Sequence, residues 1–233
     1  MILRKWEDLP LQLQTDEVRP YYDILARKKC SLVFKRLFDV AAAFILLIIL
    51  LPLFAVLAVA VKVDSRGPVF FRQARVTQYG RIFKIFKFRT MVADAEKLGA
   101  QVTADNDTRI TRVGQKIRDY RLDEIPQLLN VLSGDMSFVG TRPEVPRYVE
   151  RYTPEMMATL LLTAGVTSLA SIKYKDEAQL LAASADADEI YVKEVLPGKM
   201  RYNLQAVSHF GIRRELSVLW QTVFAVLHKG GTD

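Results

Sequence analysis

From Val40 to Val61 the chain runs VAAAFILLIILLPLFAVLAVAV, 22 residues without a charged side chain. A helix of that length reaches about 33 Å at 1.5 Å per residue, the depth of a bilayer's hydrocarbon core. Length alone favours one transmembrane helix. Two features argue for a different path. Pro52 lies near the middle, where a proline removes a helical hydrogen bond and crowds the preceding turn. Arg27, Lys28, Lys29, Lys35 and Arg36 precede the run, and Lys62, Arg66, Arg72 and Arg75 follow it. Basic flanks are retained on the cytoplasmic face. A helix that enters, turns at Pro52 and returns satisfies both ends, so the expectation is a re-entrant segment over 35–66. A proline kink inside a true span is the alternative.

The whole chain has 233 residues, room for a membrane element and one globular domain. Half of it is hydrophobic and a quarter charged, which excludes disorder over most of its length. A formal charge of +7 predicts anionic company: nucleic acid, acidic lipid or phosphorylated substrate. No helix-turn-helix, RRM or zinc-finger pattern is present, so nucleic acid is not expected as a partner. The single cysteine, Cys30, cannot form an intramolecular disulfide and suits a reducing cytosolic face. Residues 1–34 contain no apolar run fit for a cleaved leader, and they are expected to form a basic tail.

Beyond the apolar run the pattern changes to a period of two. In Pro68–Arg89, Phe83, Ile85, Lys87 and Arg89 share one face while Lys84, Phe86 and Phe88 share the other, with a hairpin turn at Thr77–Gly80. A short helix and loop are expected between Met91 and Asp107. Helices are expected within Val113–Leu132 and Thr153–Leu162, and irregular structure over 164–200. Ile212–Leu227 is amphipathic, with Leu216, Leu219, Trp220, Val223, Phe224 and Leu227 set against Arg213, Arg214 and Glu215. Beside a membrane segment such a helix suits an interfacial position. The fold class is therefore α+β, mainly helical: a proline-broken re-entrant membrane helix, then a cytosolic domain over 67–233 with a small β-hairpin and interfacial helices.

The chemistry is concentrated in Ile117–Pro143, IRDYRLDEIPQLLNVLSGDMSFVGTRP. Pro126 suits the first turn of a helix, which places Asp123 at or near its N-cap. Capping alone would account for an isolated acidic pair there. The same free N–H groups would also stabilise an ionised carboxylate or a bound phosphate. Adjacent carboxylates can divide labour, one attacking phosphorus and the other holding a hard divalent cation. Lys87, Arg89, Arg118 and Arg142 are the basic groups placed to neutralise a pyrophosphate.

KRLFD at 35–39, the proline-broken run, GPVFFRQ at 67–73, FKIFKFRTM at 83–91 and DTRITRVGQKIRDYRLDEIPQLLNVLSGDMSFVG at 107–140 resemble the bacterial sugar transferase family of monotopic phosphoglycosyl transferases. The resemblance runs from about Lys35 to Tyr191. It implies that Asp123 is the nucleophile and Glu124 the partner that binds Mg²⁺. It further implies that Lys87, Arg118 and Arg142 contact phosphate and that Pro52 is the break in the membrane helix. The implied substrates are a nucleotide sugar, of the UDP class, and undecaprenyl phosphate. The implied location is the bacterial inner membrane with the site on the cytoplasmic face, and downstream glycosyltransferases would use the product. Gly140–Thr141–Arg142–Pro143 and Thr163–Ser168 depart from the family's usual loops. The expectation is a compact family member; a homo-oligomer is left open. Two rivals keep the apolar run but change the function: a non-catalytic membrane-anchored basic scaffold, and a phospholipid headgroup transferase.

Overall fold

A computed structural model describes residues 3–93, 95, 107–174 and 187–227. The apolar run lies within one long helix, α2 (Lys29–Asp64), preceded by a short helix α1 (Arg19–Ala26). Pro52 is inside α2 and exposed. One face of α2 packs along its whole length: Leu32, Lys35, Asp39, Ala43, Leu47, Leu50, Phe54, Leu57 and Val61, at steps of three and four residues. The opposite face leaves Phe44, Ile45, Ile48, Ile49, Val56 and Val59 exposed. An apolar surface of that extent marks a membrane or partner contact, and α2 is long and apolar enough to cross a membrane.

Both limbs of α2 are bonded to the same globular body. At the first limb Arg36 donates to the carbonyls of Val131 and Leu132, 2.7 and 3.1 Å away, at the C-terminal turn of α4 (Gln127–Ser133). A cation is favoured at that negative end of a helix. Asp39, 1% exposed, accepts from the Ser137 hydroxyl at 2.6 Å and from the Phe138 N–H at 3.3 Å. Lys35 is buried beside it and pairs with Glu215 on the last helix, α9 (Ile212–Leu227). At the second limb Asp64 accepts from the Val113 N–H at 3.0 Å, at the start of α3 (Arg112–Asp119).

The expected hairpin forms from β1 (Phe70–Val76) and β2 (Ile82–Phe88), in antiparallel register from Phe70↔Phe88 to Val76↔Ile82. Its turn is a 3₁₀ segment, Gln78–Gly80, with Tyr79 at φ 61°. Phe83 and Ile85 enter one core cluster; Phe88 enters another beside Phe54, its ring centroid 4.9 Å away. A second sheet was not anticipated. β3 (Met136–Val139) and β4 (Ala164–Thr167) pair in parallel. Their ends approach closely at two glycines: a Cβ on Gly165 would lie 2.2 Å from the Gly140 nitrogen.

Three further expectations meet a different structure. Residues 3–25 are packed, not trailing: Leu3, Leu9, Leu13, Val18, Tyr22 and Leu25 join the cluster that holds Leu160, Leu161 and Phe210. Thr153–Leu162 holds a 3₁₀ helix, Met156–Leu161. Much of 164–200, expected to be irregular, is regular. After α5 (Pro146–Val149), α6 (Leu169–Lys173) follows β4; α7 (Ala187–Ile190) then continues through a π-helical turn, Tyr191–Val195, into α8 (Leu196–Ser208). Pro197 lies in the first turn of α8, directly after the π-helical turn. The helix and loop expected between Met91 and Asp107 fall largely outside the described residues.

Asp39→Ala should cost about 2–4 kcal/mol, because it leaves the buried Ser137 hydroxyl and the Phe138 N–H without their carboxylate acceptor. Phe44→Ala, on the outward face, should change stability in detergent by less than about 0.5 kcal/mol. Chemical unfolding of both variants in micelles checks the contrast, and equal losses would contradict the described packing.

Candidate active site

The period-two alternation of β2 buries Phe83 and Ile85 and carries Lys87 onward on the same face. The acidic pair meets it from a 3₁₀ turn, Leu122–Glu124, that follows α3. Arg121 links the two in the left-handed region, φ 55°. That conformation costs an L-residue roughly 1 kcal/mol or more, and it reverses the chain so that Asp123 and Glu124 face β2.

Asp123 does not cap α4. The cap position belongs to Pro126, which makes no side-chain bond to the helix, because three residues are spent on the preceding 3₁₀ turn. The expected N-cap role, the bland explanation of this carboxylate, is therefore absent.

The two carboxylates are held differently. Glu124 accepts from Lys87 Nζ at 2.7 Å and from Arg142 Nη2 at 2.5 Å, with Arg142 Nη1 3.4 Å from its other oxygen. Asp123 has only an ion-pair contact, 3.7 Å from Lys87 Nζ, and among the described residues no hydrogen bond reaches its carboxylate. The side chains of both acids are about one-seventh exposed, 15% and 14%. Burial pushes the Asp123 pKa up, and the charge of Glu124 adds to that; Lys87, Arg118 and Arg142 oppose it. Burial pushes Glu124 in the same direction, but Arg142 and Lys87 together outweigh it and hold the carboxyl well below the usual range. In the same contact the Arg142 guanidinium is raised by Glu124. Glu124 is thus a clamped anion. Asp123 is a desolvated carboxylate that accepts no hydrogen bond among the described residues.

Lys87, Asp123, Glu124 and Arg142 come together as the sequence suggests. Arg118 lies at their margin: its Nε donates to the Thr90 hydroxyl at 2.8 Å, and its charge lowers the Asp123 pKa. Arg89 is not brought to the carboxylates. It follows the last residue of β2 and turns toward the end of α2, where Nη2 donates to the Ser65 carbonyl at 2.6 Å and the Ser65 hydroxyl at 2.8 Å. Carbonyls at a helix C-terminus attract such a cation. Pro52 belongs to the exposed side of α2, apart from this cluster.

Sequence reasoning missed the groups that place Arg142. Gly140–Val145 has no regular structure beyond β3, yet Arg75 Nη1 donates to the Pro143 carbonyl at 3.0 Å and the Val76 N–H to the Glu144 carbonyl at 2.9 Å. Glu144 is 6% exposed and accepts from the Tyr191 hydroxyl at 2.6 Å, with Lys199 Nζ 3.3 Å away. Tyr191, Val195 and Lys199 recur at helical spacing, which was the available sign of a buried face.

Compared with known proteins, residues 30–229 match the family model described as bacterial sugar transferase. The chain is similar to a UDP-N-acetylgalactosamine-undecaprenyl-phosphate N-acetylgalactosaminephosphotransferase of Aeromonas hydrophila, 35% identical over 83% of this chain and 43% of that protein. It is also similar to a UDP-glucose:undecaprenyl-phosphate glucose-1-phosphate transferase of Klebsiella pneumoniae, 34% identical over 92% and 45%. An undecaprenyl-phosphate galactose phosphotransferase of Salmonella typhimurium is 31% identical over 88% and 42%. The matched region spans less than half the length of each of these three relatives.

Lys87→Met should raise the Asp123 pKa further, since Lys87 is the largest of the charges that lower it. A carboxyl ¹³C titration of wild type and variant reads the shift directly; no upward movement would contradict the described electrostatics.

Proposed function

This chain belongs to the bacterial sugar transferase family, and on that footing we propose that it transfers a sugar 1-phosphate from a nucleotide sugar of the UDP class to undecaprenyl phosphate. The names of the relatives support both substrate classes. They carry three different sugars, so the sugar taken here is left to experiment. The observation that carries the chemistry is the contrast between a clamped Glu124 and an open, desolvated Asp123.

In the proposed first step an Asp123 oxygen attacks the phosphorus bearing the sugar. The bond from that phosphorus to the nucleoside phosphate breaks, and nucleoside monophosphate leaves with the electron pair. In the second step a phosphate oxygen of undecaprenyl phosphate attacks the acyl phosphate and expels the Asp123 carboxylate. The product is a sugar linked through diphosphate to the lipid, the material that downstream glycosyltransferases extend. Lys87 and Arg142 neutralise charge on the bound phosphates, with Arg118 beside them. Phosphoryl transfer depends mainly on such positioning and charge stabilisation, and successive use of one site avoids gathering two polyanions at once.

Mg²⁺ fits this donor set only through the Glu124 oxygen that the cations hold least, Oε2, 3.4 Å from Arg142 Nη1. Among the described residues no cluster of three or more acidic, histidine or cysteine side chains forms a complete cage. Two adjacent carboxylates are what this ion uses when substrate phosphates complete its shell. Glu124, with Asp123 beside it, would hold the ion, which when bound would neutralise charge developing on the leaving phosphate.

The proposed membrane arrangement is re-entrant, at the bacterial inner membrane with the site on the cytoplasmic face. It is supported by basic flanks on both sides and by the attachment of both limbs of α2 to one domain. The apolar side of α9, with Trp220 and Phe224 exposed, suits the same interface.

Asp123→Asn should lower turnover by more than about a thousandfold while the chain still folds, and a loss within about tenfold would rule out a covalent role. Release of nucleoside monophosphate from a panel of nucleotide sugars, with undecaprenyl phosphate and Mg²⁺ present, is the assay; EDTA should abolish it. Nucleotide-activated alcohols as the only working donors would point instead to a headgroup transferase, and no turnover at all to a scaffold.

Topology is checked separately with single cysteines at Arg27 and Arg66, both exposed, in a Cys30→Ser background. Neither should react with an impermeant thiol reagent in intact spheroplasts, and both should react once the membrane is opened. Labelling of either from outside would replace the re-entrant arrangement with a single span.

A further inference from the structure

We infer that Glu144, Tyr191 and Lys199 form a buried positioning cluster that sets Arg142 against Glu124, so that the C-terminal helical unit acts on phosphate handling without touching substrate. The inference rests on the proposed transferase activity for its kinetic consequences, but not for its structural ones.

Arg142 sits on a stretch with no secondary structure, and an arginine on such a stretch has little of its own to fix it. Three ties hold the backbone: Gly165 N–H to Thr141 carbonyl at 2.8 Å, Arg75 to Pro143, and Val76 to Glu144. The fourth tie is a side chain. Glu144, two residues after Arg142, turns its carboxylate inward to the Tyr191 hydroxyl and Lys199, and Lys199 also donates to that hydroxyl at 3.0 Å. All three are nearly sealed from solvent, at 6%, 4% and 4% exposed.

A buried ion pair is weak evidence for stability, since apolar residues of similar volume often serve as well. Its best-supported use is to enforce one arrangement out of several. Here it enforces the placement of the only loop that brings a guanidinium to Glu124 among the described residues. Tyr191 opens the π-helical turn Tyr191–Val195, a rare widening that is frequent at functional sites. The Tyr148 ring packs on it at 4.5 Å, fixing the direction of the hydroxyl. Glu124, Arg142, Glu144 and Lys199 thus form a series of alternating charge from the surface of the site into the interior, and Arg142 feels both carboxylates.

Tyr191→Phe is the gentlest probe, since it removes one hydroxyl and keeps the ring. It should lower kcat/KM for the nucleotide sugar about tenfold, the scale of a lost hydrogen bond to a charged group. In an Arg142→Ala background the same change should have an effect within about twofold, because the group it positions is gone. Hydrogen exchange of the Val76 and Gly165 amides, which donate to this loop, should accelerate about tenfold in Tyr191→Phe, with exchange in α4 unchanged. Glu144→Gln should show the same pattern. Lys199→Met risks unfolding, as it leaves a buried carboxylate unpaired, and is not needed for the decision. Equal losses from Tyr191→Phe with and without Arg142 would overturn the inference, as would unchanged exchange at Val76 and Gly165. If wild type turns over no nucleotide sugar, the proposed activity fails and the exchange measurement alone decides the cluster.

Discussion

The elements that carry Lys87, Arg118 and the acidic pair are attached to one face of one helix. The packed side of α2 meets α4, β3, β2 and α3. Arg36 caps the helix that follows the acidic pair, and Asp64 meets the start of the helix that precedes it. The segment richest in membrane-seeking side chains is therefore also the spine of the catalytic scaffold. Burying its outward face in lipid and its inward face on the domain are compatible demands, because a helix of period 3.6 separates the two surfaces cleanly.

That arrangement has an electrostatic consequence. The chain carries a net charge of +7, yet several of its buried cations are held against carboxylates. Lys35 has Glu215 and Asp39; Lys87 and Arg142 have Glu124; Lys199 has Glu144. Asp123 is the exception. It is desolvated, its pKa is raised by burial, and no hydrogen bond among the described residues reaches it. One carboxylate left under-compensated among paired neighbours is the electrostatic support for the role proposed for Asp123.

The features legible in the sequence were those with a period or a penalty. Alternation in Phe83–Lys87 gave both the hairpin and the direction of Lys87. The apolar run gave α2, and the contiguous Asp123–Glu124 gave the acidic pair that meets β2. What was not legible depended on contacts distant in the chain. Arg89 continues the alternation of β2, but the strand ends at Phe88 and the carbonyls at the end of α2 capture it. Asp123 looked like a cap because the 3₁₀ turn before Pro126 has no marker in the sequence. The parallel pairing of β3 with β4 joins residues that are nearly thirty positions apart and too short to announce themselves as strands. The Glu144–Tyr191–Lys199 cluster lies partly within 164–200, which reads as irregular in the sequence.

The central claim is that Asp123 takes up the phosphosugar before the lipid acceptor is engaged. Its most direct test is mass spectrometry of the protein quenched after mixing with nucleotide sugar alone, without undecaprenyl phosphate. The account predicts release of up to one equivalent of nucleoside monophosphate and a sugar-phosphate mass on the tryptic peptide spanning 122–147, lost in Asp123→Asn. Absence of nucleoside monophosphate until acceptor is added, or an adduct on any other peptide, would contradict it.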